Sequence, residues 1–283
     1  MSTVSPLWMQ YARVLIARKP ALAREGTVVA RQEAHLPGFR IDAEHLRRYR
    51  VICGASSLES LPIAYPHVLA SALHLSLLSA PAFPVGLLGL VHIRNVIRQR
   101  RRLASEEAAS LRVWLEGYRD TPRGQEFDLH TEWHVGNDIP WNEVSTFLAR
   151  RRGAGAKDVR EPKPVPNPRV ELRSFRAAAG LGREYGWLAG DLNPIHVSDL
   201  SARMFGFRAA IAHGMWSLAR CASEFPDEFL QRSCEYSVHF KLPIFLRSWV
   251  LLESWPGDAG LEFTLRDAQG DKPHLSGSLR PLE

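Results

Sequence analysis

Ile211-Ala212-His213-Gly214-Met215-Trp216 opens an apolar run in the second half of the chain, and Ile63-Ala64-Tyr65-Pro66-His67-Val68 opens a similar one 148 residues earlier. Two further stretches match in the same order. Val91-His92-Ile93-Arg94-Asn95-Val96-Ile97 sits against Val238-His239-Phe240-Lys241-Leu242-Pro243-Ile244 at a shift of 147, and residues 124 to 129 against 270 to 275 at a shift of 146. Each match alone is weak, but three in one order at almost one shift indicate an internal duplication. Length agrees, since 283 residues is about twice a common domain.

Both halves follow one grammar. In the second, Met215, Leu218, Ala219 and Ala222 fall at helical spacing until Pro226 stops the run. Alternating strands follow, with Tyr236, Val238, Phe240 and Leu242 in one and Leu261, Phe263 and Leu265 in the next. In the first half Leu111, Val113 and Leu115 alternate, then Phe127, Leu129, Thr131, Trp133 and Val135. A helix followed by alternating strands predicts an α+β unit whose antiparallel sheet wraps the helix. Two such units pair edge to edge and so cover their exposed strands. Proline at 162, 164, 166 and 168 marks an extended linker. The expected boundaries are therefore a first unit at 1–150, a linker at 151–168 and a second unit at 169–283.

Lys and Arg exceed Asp and Glu, 36 against 30, for a net charge of +6. That excess fits an anionic partner, whether nucleic acid, a phosphate-bearing tail or an acidic carrier protein, without choosing among them. The run Arg94, Arg98, Arg100, Arg101, Arg102 reads as a solvated strand end, with a phosphate or carrier contact as the alternative. Cys53, Cys221 and Cys234 form no C-x-x-C pair, which argues against a disulfide scaffold or zinc ribbon and makes a reducing cytoplasm the default. Arg13, Arg18 and Lys19 interrupt any signal-peptide core. Residues 60 to 93 carry no Asp, Glu, Lys or Arg, yet their longest proline-free piece, 67 to 80, is 14 residues. A membrane helix needs roughly 20, so this is expected to be a buried core helix. No P-loop, G-x-S-x-G or G-x-G-x-x-G occurs.

The chemistry concentrates in Gly190-Asp191-Leu192-Asn193-Pro194-Ile195-His196. Pro194 fixes its own φ and keeps Asn193 out of the helical region, so the loop is compact. A carboxylate and an imidazole on one rigid turn can grip a single water, delivering hydroxide to one carbon and a proton to its neighbour, or the reverse. Asn193 orients the loop. Ser198 is the expected N-cap of a short helix over 199 to 205, stopped by Gly206. Gly214 then opens the long helix with an unobstructed amide N–H, suited to a developing enolate oxygen. Its counterpart in the first half, Pro66, has no N–H to give. If Tyr49 corresponds to Tyr185, the second half spends 12 more residues before its helix, and those residues carry Asn193 and His196. The bland readings are a structural histidine and an ordinary Asp-x-Asn turn. Asp191, His196 and His213 are also a conceivable metal trio, but the spacing matches no standard zinc or iron site, and no metal is expected.

Tyr185 through His196, then Ala202, Phe205-Gly206-Phe207 and Ile211 through Met215, resembles the hydratase-2 motif of MaoC-like enzymes. Val135-Gly136-Asn137-Asp138, Trp141 and Thr146-Phe147-Leu148 resemble the first half of their double-hotdog members. The resemblance implies a double hotdog with Asp191 and His196 as a water-holding dyad and the Gly214 amide as oxyanion donor. It implies Asn193, His213 and Met215 as substrate-binding neighbours and a degenerate first unit that accommodates the acyl chain. Many members carry Ser where Ala189 stands. The implied reaction is reversible syn hydration of a trans-2-enoyl thioester to the (3R)-3-hydroxyacyl thioester. CoA or phosphopantetheine enters as part of the substrate, so no cofactor is expected. The implied partner is an acyl-CoA or acyl-carrier-protein thioester, with no nucleic acid and no membrane span, and the protein is a cytoplasmic monomer or homodimer. The alternatives are a hotdog acyl thioesterase and a non-catalytic acyl-thioester-binding subunit.

Overall fold

The computed structural model describes residues 19–56, 60–151 and 170–282. Apart from Arg151, the expected linker lies outside the described residues. The first half contains β1 (Gln32–Phe39), α1 (Ala43–Cys53), α2 (Tyr65–Ser79), β2 (Leu90–Gln99), β3 (Ala109–Leu115), β4 (Arg119–Thr121), β5 (Gly124–Val135) and β6 (Asp138–Arg150). The second contains β7 (Glu171–Arg176), α3 (Leu181–Ala189), α4 (Pro194–Val197), α5 (Asp199–Met204), α6 (Gly214–Ala222), α7 (Asp227–Leu230), β8 (Cys234–Phe240), β9 (Trp249–Gly257), β10 (Gly260–Asp267) and β11 (Pro273–Pro281).

Alternation decides the sheet. Along β3 every second residue is buried, and the same holds over Cys234, Tyr236 and Val238 of β8. The strands form one continuous sheet in the order β1-β3-β5-β6-β2-β8-β11-β10-β9-β7, with β4 hydrogen-bonded to β5. Read from its centre outward, the order is the same on both sides: β2 and β8, then β6 and β11, β5 and β10, β3 and β9, β1 and β7. The seam is the antiparallel pair β2–β8, in which Arg94 faces His239 and Ile97 faces Tyr236. Against the concave face lie α2 and α6. The first buries Val68, Ala70, Leu73, Leu77 and Leu78 and carries no Asp, Glu, Lys or Arg, while Ala72 is exposed. Among the described residues, no helix is long and apolar enough to cross a membrane.

The structure corrects one of the three sequence matches. Residues 124 to 129 belong to β5 and 270 to 275 run into β11, whereas the position of β5 in the second half is taken by β10. The true counterpart of Gly124 is Gly260. Each begins its strand at a positive φ, 141° and 148°, and a Cβ there would strike a neighbouring-strand carbonyl, Ala149 O at 2.0 Å or Leu279 O at 2.3 Å. The two glycines stand 136 residues apart, as do Tyr49 and Tyr185. So do Gly54 and Gly190, which end α1 and α3 at φ 70° and 68°. The shift therefore widens where α4 and α5 are inserted and closes again beyond the seam, where β9 turns directly into β10 while the first half adds β4.

Two boundaries also move. Alternation suggested that β8 continues to Leu242, but the ladder ends at Phe240, and Leu242 is 45% exposed. Its partner strand begins at Pro273, which has no N–H to extend the pairing. At the helix openings, α2 starts at Tyr65 and α6 at Gly214, so Tyr65 stands at the position of Gly214 and Pro66 follows it. The Tyr65 amide is spent on Pro62 O at 2.8 Å and Pro66 has none, so neither offers a donor.

Candidate active site

Everything singled out between 190 and 215 converges where α3 hands over to the inserted segment. Gly190 turns the chain out of α3. Asn193 then acts as a cap: its Oδ1 accepts from Ile195 N at 3.3 Å, which starts the single turn α4 that the sequence reading treated as loop. His196 therefore projects from a helical turn. Ser198 caps α5 through its Oγ, which accepts from Ser201 N at 3.1 Å. The segment returns to the core when Asp199 Oδ1 accepts from Ala210 N at 2.9 Å and Ile211 N donates to Ile195 O at 3.1 Å.

The orientation of His196 is fixed. Its Nδ1–H donates to Ile211 O at 2.8 Å, so in the neutral ring Nε2 carries the lone pair. The ring is 8% exposed and stacks on His213 with centroids 3.7 Å apart. Burial, and then the neighbouring imidazole of His213, hold its pKa well below the usual histidine range. The His213 pKa is likewise lowered by burial. The polar contact of His213 is with the loop: Nε2–H donates to the backbone carbonyl of Asp191 at 3.0 Å, while Nδ1 is buried without a protein partner. The Asp191 side chain is 49% exposed, and its Oδ1 also accepts from Asn193 N at 3.2 Å. One donor atom from each of Asp191, His196 and His213 lies within 4.8 Å of the others. That spacing admits either a bridging water or a metal ion. Gly214 heads α6, where a first-turn amide has no partner within the helix. A Cβ on Gly214 would come within 3.3 Å of the Phe240 ring. Met215 is 6% exposed and belongs to the hydrophobic core.

Sequence reasoning missed what supports the loop. Gly182 and Gly186, one helical turn apart on α3, let the loop backbone lie directly on that helix. A Cβ would meet His196 O at 1.8 Å from the first and Asp191 O at 2.7 Å from the second. The G-x-x-x-G spacing was the available signal. From the first half, His45 bonds Leu188 O at 2.9 Å and the Tyr65 hydroxyl at 2.8 Å, tying α3 to α2. Of the arginine run, Arg94 lies in the middle of β2, Arg98 near its end, and Arg100, Arg101 and Arg102 beyond it. Arg98 pairs with Glu235 at 2.7 Å, and Arg101 with Glu107 at 2.8 Å and Asp138 at 3.2 Å.

Two buried neutral histidines give this site a pH signature. With folded pKa values below the unfolded value of about 6.5, the unfolded chain takes up protons that the folded one does not, so stability falls as pH drops below about 6.5. Between pH 7.5 and 5.5 His196 accounts for a loss of about 1 kcal/mol, and His213 adds to it in the same direction. Burial lowers His74 and His92 in the same direction, so urea unfolding at the two pH values is compared between the wild-type chain and His196→Ala. An equal fall in the two proteins would show that His196 is not held neutral.

Two sheet-and-helix units sharing one sheet, with one elaborated active-site loop between α3 and α6, define a double hotdog. The MaoC like domain matches residues 173–276. The chain is 34% identical over 250 residues to 3-hydroxyacyl-thioester dehydratase X of Mycobacterium tuberculosis, covering 86% of each protein. The crystal structure of that organism's HtdX superposes with a TM-score of 0.74 at 31% identity, over 89% of this chain and all of the other. A further M. tuberculosis protein, described as a double hotdog, superposes with a TM-score of 0.57 over 88% of this chain and 95% of its own, at 13% identity, a likeness of fold alone. The chain belongs to the MaoC-like dehydratase family, whose members are hydro-lyases.

Proposed function

We propose that Asp191 and His196 hold one water between them and catalyse reversible syn hydration of trans-2-enoyl thioesters to (3R)-3-hydroxyacyl thioesters. The observation that carries this reading is geometric. The Asp191 carboxylate and the His196 imidazole present donor atoms within 4.8 Å, a span that a single water bridges, and the Nδ1 bond to Ile211 turns a lone pair on Nε2 toward service as a base. In hydration, the water loses one proton to the dyad as its oxygen bonds to C3, and the dyad returns a proton to C2 on the same face. The charge that develops on the thioester oxygen is met by the Gly214 amide and the positive end of α6. Asn193 shapes the loop through its cap, and His213 holds the Asp191 backbone. No redox or metal chemistry enters these steps.

The thioester is carried on CoA or on an acyl-carrier protein, whose negative charge suits a chain of net charge +6. Two hotdogs in one chain already supply the paired unit, so a monomer is sufficient, and a homodimer adds no missing residue. Three free, buried cysteines fit a reducing compartment such as the cytoplasm.

The test is to add the protein to a trans-2-enoyl-CoA and follow both the enoyl-thioester absorbance and free thiol. Loss of absorbance without thiol, with (3R)-hydroxyacyl-CoA as product, is the expected result. Thiol release would point to a thioesterase instead. No change over several chain lengths, on CoA and on carrier protein, would favour a binding subunit.

A further inference from the structure

Within the first half, α2 carries His67 and His74 toward β5 and β6, and they meet a carboxylate there. Glu143 on β6 has a side chain with no solvent exposure, and His67 Nδ1 lies 2.9 Å from both of its oxygens. His74 is buried, with Nε2 2.8 Å from Thr131 Oγ1, and its ring centroid lies 4.8 Å from that of His67. Asn95 donates through Nδ2 to Glu143 and to Ser145 Oγ. Among the described residues, the hydrogen-bond partners of Glu143 are thus an imidazole and a carboxamide, not Lys or Arg. A buried carboxylate in such company needs a positive charge beside it, either a proton on His67 or a bound cation.

Two further atoms of this network are unmet. The Asn95 Oδ1 and His92 Nε2 are buried without a protein partner. His92 stacks 6.3 Å from His67. A cation among these groups would meet the Asn95 Oδ1 lone pairs and the Glu143 charge together.

We propose that His67, His74 and Glu143 form a binding site for a divalent transition-metal ion of the zinc class, inside the half that lacks the catalytic loop. One donor atom from each of the three lies within 4.8 Å of the others. Ligand atoms around tetrahedral zinc stand roughly 3.4 Å apart, so side-chain rotations of about 1.5 Å or less close the set. Two imidazoles and one carboxylate favour zinc, cobalt or nickel over magnesium or calcium, which take oxygen donors. The ion would neutralise Glu143 and tie α2 to the sheet at β6. This inference does not rest on the proposed reaction.

The experiment uses the full chain, freed of metal by chelation and dialysis, and titrated with Co²⁺. One equivalent is expected to give a ligand-field absorption band that Zn²⁺ displaces, together with a rise in melting temperature that chelator reverses. His74→Gln and Glu143→Gln are each expected to abolish both signals. His196→Ala, which breaks the other His-and-carboxylate trio, is expected to retain them. Absence of band and melting shift in the wild-type protein overturns the proposal. So does a signal that survives His74→Gln and Glu143→Gln but disappears in His196→Ala.

Discussion

Asp191→Asn is expected to lower turnover by on the order of 10²-fold or more while leaving the fold in place. The substitution keeps the shape of the side chain. The new Oδ1 still accepts from Asn193 N, and the backbone carbonyl that receives His213 is untouched. What disappears is the charge and the proton-accepting oxygen. Because that carboxylate is half exposed, its removal costs little stability. His196→Ala is expected to lose at least as much activity and some stability too, since it leaves the buried Ile211 carbonyl without its donor, at a cost of roughly 1–3 kcal/mol. In the proposed mechanism both groups act on one water in the transition state, so kcat is expected to fall while KM changes little. The double variant is then expected to be no worse than the poorer single one. Steady-state kinetics on an enoyl thioester, with circular dichroism of each variant, checks this. Either variant at full activity would sink the assignment of the dyad.

The duplicated fold was legible because it rests on patterns that local chemistry enforces. Alternation placed β3, β5, β8 and β10, and the uncharged stretch around His67 and His74 marked a largely buried helix. The loop was legible because Asn-Pro has few conformations and because only one half carries it. Constant spacing between the halves was the part that failed. It joined Gly124 to Gly270, whereas the structure pairs Gly124 with Gly260, and the reason is backbone geometry that no similarity of side chains records. The helical turn at Pro194–Val197 was missed because four residues are too few for any period to show. The cluster around Glu143 was out of reach for another reason. Its members lie 67, 74, 92, 95 and 143 along the chain, on α2, β2 and β6, and only the sheet register brings them together. The close packing of the loop on α3 was also hidden, although its signature was present as two glycines on α3.

Gly182→Ala tests that packing, and its expected sign is opposite to the usual one. In an ordinary helix interior, alanine for glycine stabilises by roughly 0.5–1 kcal/mol, because glycine has more freedom to lose. Here the added Cβ would stand 1.8 Å from the carbonyl oxygen of His196. The obstacle is backbone, not the end of a flexible side chain, so either α3 or the loop must move. Moving α3 disturbs Leu181, Tyr185 and Leu188, all buried in the core. Moving the loop carries His196 with it, away from Ile211. Overpacking of this kind costs roughly 1–3 kcal/mol. A displacement of the base by about 1 Å is expected to cost about 10²-fold in turnover, without any catalytic group having been changed. Gly186→Ala acts in the same way on the Asp191 carbonyl, more mildly, since the contact there would be 2.7 Å. Gly89→Ala, with no atom near its added carbon, is the neutral comparison. Urea unfolding and steady-state turnover measured on the three variants separate the outcomes. Wild-type stability and activity in Gly182→Ala would mean that the loop does not lie against α3, and that the dyad is positioned by something other than this contact.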